Sequence, residues 1–111
     1  MATTKEFLEF VLDSLRHVGD VTVRPMMGEY VIYYRGRLIG DICDNCLLLK
    51  QTPSSLRLLP DAEKVFPYPG AKHQLLAVDC LEDRERMAEL LPAMYGELPE
   101  PKAKQPRRTK K

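Results

Sequence analysis

The stretch Arg24-Pro25-Met26-Met27-Gly28-Glu29-Tyr30-Val31-Ile32-Tyr33-Tyr34 decides the fold. A proline, a methionine pair and a glycine lead into a dense β-branched and aromatic run, the composition of a pleated, half-buried surface. Glu29 to Tyr34 therefore reads as a strand. Tyr30, Ile32 and Tyr34 fall on one face, with Val31 and Tyr33 on the other. Upstream, Asp20 to Pro25 reads as a short strand ended by its proline, which cannot donate to a ladder. Met26-Met27-Gly28 is the connection. Downstream, Arg35-Gly36 turns the chain into Arg37–Cys43. Asp44-Asn45, two residues that tolerate positive φ, return it along Cys46–Lys50. The result is a four-strand meander over residues 20–50.

Helical patterns lie at the two ends. Thr3 and Glu6 have capping-box spacing. Phe7, Leu8, Val11, Leu12, Leu15 and Val18 then form a stripe at helical period, and Gly19 suits the residue after a helix. The expectation is a helix over 4–18, with His17 in its last turn, where the dipole favours it. Thr52-Pro53 starts a short helix that Pro60-Asp61 stops. Residues 64–70, broken by Pro67 and Pro69, give at most an edge strand, and Gln74–Val78 gives a second short strand. A last helix is expected from Asp79, with Glu82 as capping partner and Met87, Leu90, Leu91 and Met94 on its buried face. Pro92 kinks it or ends its regular part. The fold class is α+β: a single antiparallel sheet of five to six strands, the meander plus two later strands, flanked by N- and C-terminal helices.

Composition bounds the function. At 111 residues, 44% hydrophobic and 30% charged, the chain reads as one soluble globular domain with a single core. The N-terminus has no secretory pattern and no apolar run is long enough for a membrane span. Three cysteines are too few and too odd in number for a disulfide framework, so the expected setting is the cytoplasm with reduced thiols. The net charge of +1 hides an asymmetry. Lys102, Lys104, Arg107, Arg108, Lys110 and Lys111 crowd the last ten residues, while residues 1–101 carry 11 Lys+Arg against 16 Asp+Glu, a formal −5. Residues 1–97 are read as the folded domain and 98–111 as a basic disordered tail. Nucleic acid is a partner only through that tail, whose six charges without aromatics carry no sequence specificity.

Cys43-Asp44-Asn45-Cys46 is the sharpest chemical feature. A redox pair belongs at a helix N-terminus, whereas this one flanks a hairpin turn. A structural zinc site needs two further ligands, and the only other Cys or His residues are Cys80, His73 and His17. The pair is therefore read as two small apolar residues closing a hairpin, with Cys43 and Cys46 the candidates for any metal or thiol chemistry. Cys80 with His73 has no orienting acid. Asp41 and Asp44 read as solvated turn acids. No glycine-rich loop opens a helix, so no phosphate site is expected. The tyrosines read as core and cross-strand pairs rather than a base-stacking platform. No catalytic residues, no cofactor and no small-molecule substrate are evident. The expectation is a non-enzymatic module with a protein partner or a homodimer, using an open sheet edge or the apolar surface at Met26, Met27 and Tyr30.

In the order of its motifs the chain resembles the TfoX N-terminal domain family, named for regulators of bacterial competence genes (TfoX, also called Sxy). The resemblance rests on Met26-Met27-Gly28-Glu29-Tyr30-Val31-Ile32-Tyr33, then Arg35-Gly36-Arg37-Leu38-Ile39-Gly40-Asp41, then Leu47-Leu48-Leu49-Lys50, and later Phe66-Pro67-Tyr68-Pro69-Gly70. It covers residues 4–96. Two positions depart from the family pattern: Met27 stands for a phenylalanine and Glu29 for a second glycine. The full-length regulators carry a further helical domain, in whose place only the basic tail is read here. The resemblance implies a secretion-chaperone-like antiparallel sheet flanked by helices, a regulatory role, and no catalytic residues.

Overall fold

Three two-residue turns build most of the sheet. Met27-Gly28, Arg35-Gly36 and Asp44-Asn45 all have positive φ at both residues: 53° and 85°, 51° and 83°, 52° and 58°. This is the type I′ pattern, whose twist matches that of the strands it joins. The computed structural model describes residues 3–98. Its elements are α1 (Lys5–Ser14), β1 (Val21–Met26), β2 (Glu29–Tyr34), β3 (Arg37–Cys43), β4 (Cys46–Leu49), α2 (Pro53–Leu58), β5 (Lys64–Val65), β6 (Leu75–Val78) and α3 (Arg84–Tyr95). The strands form one sheet in the order β1-β2-β3-β4-β6-β5, every pair antiparallel. The chain leaves β4 through α2, makes the far edge as β5, and returns through residues 66–74 to fill the place beside β4. The expected α+β sheet with flanking helices is what the structure has.

Strand alternation sends Ile32, Tyr34, Ile42, Leu47, Leu49 and Leu76 to one face. There they meet Val11 and Leu15 of the first helical segment and Met87, Leu90, Leu91 and Met94 of α3. Each such side chain is worth roughly 1.5–3 kcal/mol when fully buried. A bulge tunes this face: pairing to β2 jumps from Ile32↔Gly40 to Tyr33↔Leu38, leaving Ile39 unpaired with β2 and fully buried.

Several boundaries differ from the sequence reading. Thr4, not Thr3, caps α1, its hydroxyl accepting from the Phe7 N–H at 3.1 Å, because Thr3 is used elsewhere. α1 ends at Ser14. His17 lies in the turns that follow, where its Nε2 donates to the Arg84 carbonyl at 2.9 Å and ties the two terminal helices together. β1 runs through Pro25 to Met26, which an edge strand tolerates. α3 starts at Arg84 with Asp83 as cap, since residues 80–83 close a turn through Asp83 N–H to Cys80 O at 2.9 Å. It continues past Pro92 to Tyr95. The described residues run to the last position of the expected domain and the one beside it. Glu97 accepts from the Ser54 N–H (3.0 Å) and hydroxyl (2.6 Å) at the start of α2, and Leu98 is buried in the core. The six basic tail residues lie outside the described residues.

Candidate functional site

The face of the sheet turned away from α1 and α3 carries its own row of side chains. Val31, Asp41, Leu48 and Ala77 stand in register across four strands. Cys43, Leu48 and Leu75 form a small second cluster there with Val65 and Ala77. Asp41 is therefore buried at mid-sheet, not a solvated turn acid. Burial pushes its carboxyl up, against the opposing pull of Lys50. No ion pair holds it among the described residues.

At the end of this face the chain forms an open groove of about 1100 Å³. One wall is the pair of turns at Met26–Glu29 and Cys43–Asp44. The other is the proline-stiffened segment Phe66-Pro67-Tyr68-Pro69-Gly70-Ala71. Six large apolar side chains are well exposed among the described residues, and four of them (Met26, Met27, Phe66, Tyr68) line this groove. Met27 is 97% exposed and sits at a φ of +53°, uncommon for a residue other than glycine. A methionine held out in water at the first position of a tight turn serves neither core nor turn. Each wall draws on one of the four segments that carried the family resemblance, 26–33 on one side and 66–70 on the other. Their meeting was not foreseen, because it depends on the non-local return of residues 66–74 to the sheet. An exposed aromatic on either side of Pro67 was the available signal. Tyr30, expected beside Met26 and Met27, instead packs against the main core, since strand alternation sends it to the helix face.

The turns that frame the groove are pinned by the N-terminal residues. Glu29 Oε1 accepts from the Thr3 N–H (2.9 Å), the Thr3 hydroxyl (2.6 Å) and the Asp44 N–H (3.2 Å). Asn45 Oδ1 accepts from the Thr4 N–H at 2.9 Å. Glu29, the departure from the family's second glycine, thus ties the β1–β2 turn to the β3–β4 turn. Desolvation pushes its carboxyl up, but the Thr3 hydroxyl and the Asp44 and Thr3 N–H groups outweigh that and hold it below its ordinary value.

The cysteines offer little reactive chemistry. Cys43 and Cys46 face each other across the β3–β4 turn as free thiols, Cys43 buried and Cys46 exposed. Burial, then the charges of Asp41, Glu29 and Asp44, push the Cys43 thiol up to about 11, so it is protonated near neutrality. A protonated thiol is a poor nucleophile, since the thiolate is the reactive form. Cys80 sits beside Arg86, whose Nη1 lies 3.7 Å from its Sγ, while exposed His73 belongs to a separate pocket with Lys50 and Lys72. Among the described residues no three or more His, Cys, Asp or Glu side chains group as a metal site. No helix among them is long and apolar enough to cross a membrane.

A comparison with curated proteins finds a chain from Spirochaeta aurantia that is 37% identical over 110 residues, covering 99% of this chain and 93% of that protein. It is described as an uncharacterized 12.7 kDa protein in the trpE 5′ region. No solved structure matches the chain. The family model of the TfoX N-terminal domain matches residues 13–96, which span the whole sheet, the short helix and α3. The chain belongs to the TfoX N-terminal domain family.

Proposed function

We propose that the chain is a non-enzymatic regulatory module that binds a protein partner through the groove between the Met26–Glu29 and Cys43–Asp44 turns and the 66–71 segment. The observation that carries this reading is the gathering of four of the six exposed large apolar side chains in one open groove. Scattered apolar residues on a surface need no explanation, whereas a contiguous patch in a concave setting marks a contact surface. The pinning of both turns by Thr3, Thr4, Glu29 and Asn45 supports it further, because a preorganised wall loses less entropy on binding. In its finer form the reading is the one the family implies, control of competence genes through protein contact.

The test uses two exposed positions. Met27→Lys with Tyr68→Ser is expected to leave stability within about 0.5 kcal/mol of the parent chain by urea denaturation. The proteins that co-purify with the parent chain from its own cells are expected to be lost from this variant. Partners retained undiminished by the folded variant would defeat the reading, as would a parent chain that retains none.

A further inference from the structure

The charged residues that line the groove are acidic, and the nearest cation on that face, exposed Arg24, stands two positions back from Met26 on β1. The lining acids are Glu29 and Asp44, and buried Asp41 lies two positions from Cys43 on the same strand face. The lysines of that side of the molecule, Lys50 and Lys72, line the neighbouring pocket instead. An apolar groove with aromatic and proline walls and an acidic rim suits a basic, proline-containing segment. The chain itself carries one in Pro99-Glu100-Pro101-Lys102-Ala103-Lys104-Gln105-Pro106-Arg107-Arg108-Thr109-Lys110-Lys111.

Reach decides which part of that segment can arrive. Leu98 is anchored at the opposite end of β3 from the groove, its carbonyl accepting from Arg37 Nη1 at 3.2 Å. From Arg37 to Cys43 is about 20 Å along the strand, at about 3.3 Å per residue. Passing from the helix face to the outer face adds about 10 Å, the usual thickness of a packed layer. A path of about 30 Å uses about nine extended residues. Residues from Arg107 onward can therefore arrive, and Arg107 to Lys111 contains four of the six tail cations. A tethered segment has an effective concentration in the millimolar range, so a contact with a dissociation constant below about 1 mM fills the site.

We propose that the basic segment Arg107–Lys111 seats intramolecularly on the acidic rim of the groove and competes with the partner for it. The inference rests on the groove being a peptide-binding surface, but its test needs no partner. Carbodiimide joins carboxylates to lysines only when they are in contact. The full-length protein at low micromolar concentration is treated with carbodiimide, and its cross-links are mapped by mass spectrometry. Lys110 and Lys111 are expected to link to Glu29 or Asp44 at least about fivefold more than to exposed Glu9, Asp61 or Glu89. That preference is expected to fall in about 0.5 M salt, where exposed charges are screened, and in the full-length Asp44→Asn variant. An even spread of links over all exposed acids would overturn the proposal. So would links to the rim found only in covalent dimers whose yield rises with protein concentration, which would assign the groove to a second copy's tail. If the links are absent while Met27→Lys with Tyr68→Ser still loses the partner, this inference alone fails. If that variant keeps its partner while the links persist, the partner reading fails and the competition with it, while the seating stands.

Discussion

Gly40 has no room for a side chain. A Cβ built there would overlap the Leu48 carbonyl oxygen and press on the Leu48 and Leu49 backbone. Those atoms belong to β4, paired to β3 at mid-sheet through Gly40↔Leu49 and Asp41↔Leu48, and cannot give way as a flexible side chain would. The β3–β4 ladder runs on without a break beside Gly40. Its next rung, Lys50 N–H donating to Ile39 O at 2.8 Å, holds the two backbones together. Gly40→Ala should therefore cost about 3 kcal/mol or more, the range of overpacked core positions, and lower the urea midpoint accordingly. An alanine variant as stable as the parent would mean that the strands do not approach as described. The sequence placed Gly40 in a strand, but its need for glycine was invisible there, because the atom that excludes a side chain comes from the next strand.

Between elements, the N-terminal residues act as a clasp on two turns. Thr3 and Thr4 reach Glu29 and Asn45 before α1 begins, so the entry of the first helix and the mouth of the groove are one hydrogen-bonded unit. Capping-box spacing led the sequence reading to Thr3 as the helix cap, and the error has a physical source. Local spacing cannot register a competing acceptor 26 residues away. The same failure moved the start of α3, where Asp83 rather than Asp79 supplies the cap. The strands were legible because I′ turns and alternation are local signals, and the Glu29 clasp was not. It carries a pH prediction. The folded-state carboxyl of Glu29 lies below its unfolded value of 4.5. Its contribution is thus present above that value and is lost as pH falls through the lower, folded value. Because the group is largely solvated, the gain is set at about 0.5–1 kcal/mol. The stability gap between the parent chain and Glu29→Gln should be open at neutral pH and close as the pH falls below 4.5 in urea titrations. A gap that widens on acidification would show that the ionised carboxylate is not what the threonine donors hold.

At the scale of the whole molecule the two faces of the sheet are unequal. One is sealed by α1 and α3 over sixteen buried side chains, while the other has a cluster of three and, beyond it, the proline-containing 66–71 segment. Composition foretold one core and not this asymmetry, because Leu47 and Leu48 look alike in sequence and only their alternation assigns them to opposite faces. Unequal faces imply unequal opening. The groove side should open by moving the 66–71 segment alone, with little newly exposed surface, while the helix face opens only by global unfolding. Cys43 reports this directly, since it is buried, lines the groove and stands on the lightly covered face. Its thiol, pushed up to about 11, reacts slowly at neutral pH, whereas Cys46 is exposed across the turn. Alkylation at pH 8 followed by peptide mapping should modify Cys46 first and Cys43 much later. The Cys43 rate should rise only weakly with urea below the unfolding transition, because the denaturant slope scales with the surface exposed on opening. A Cys43 rate with the full slope of global unfolding would place that thiol inside the cooperative core and make the groove wall as rigid as the helix face.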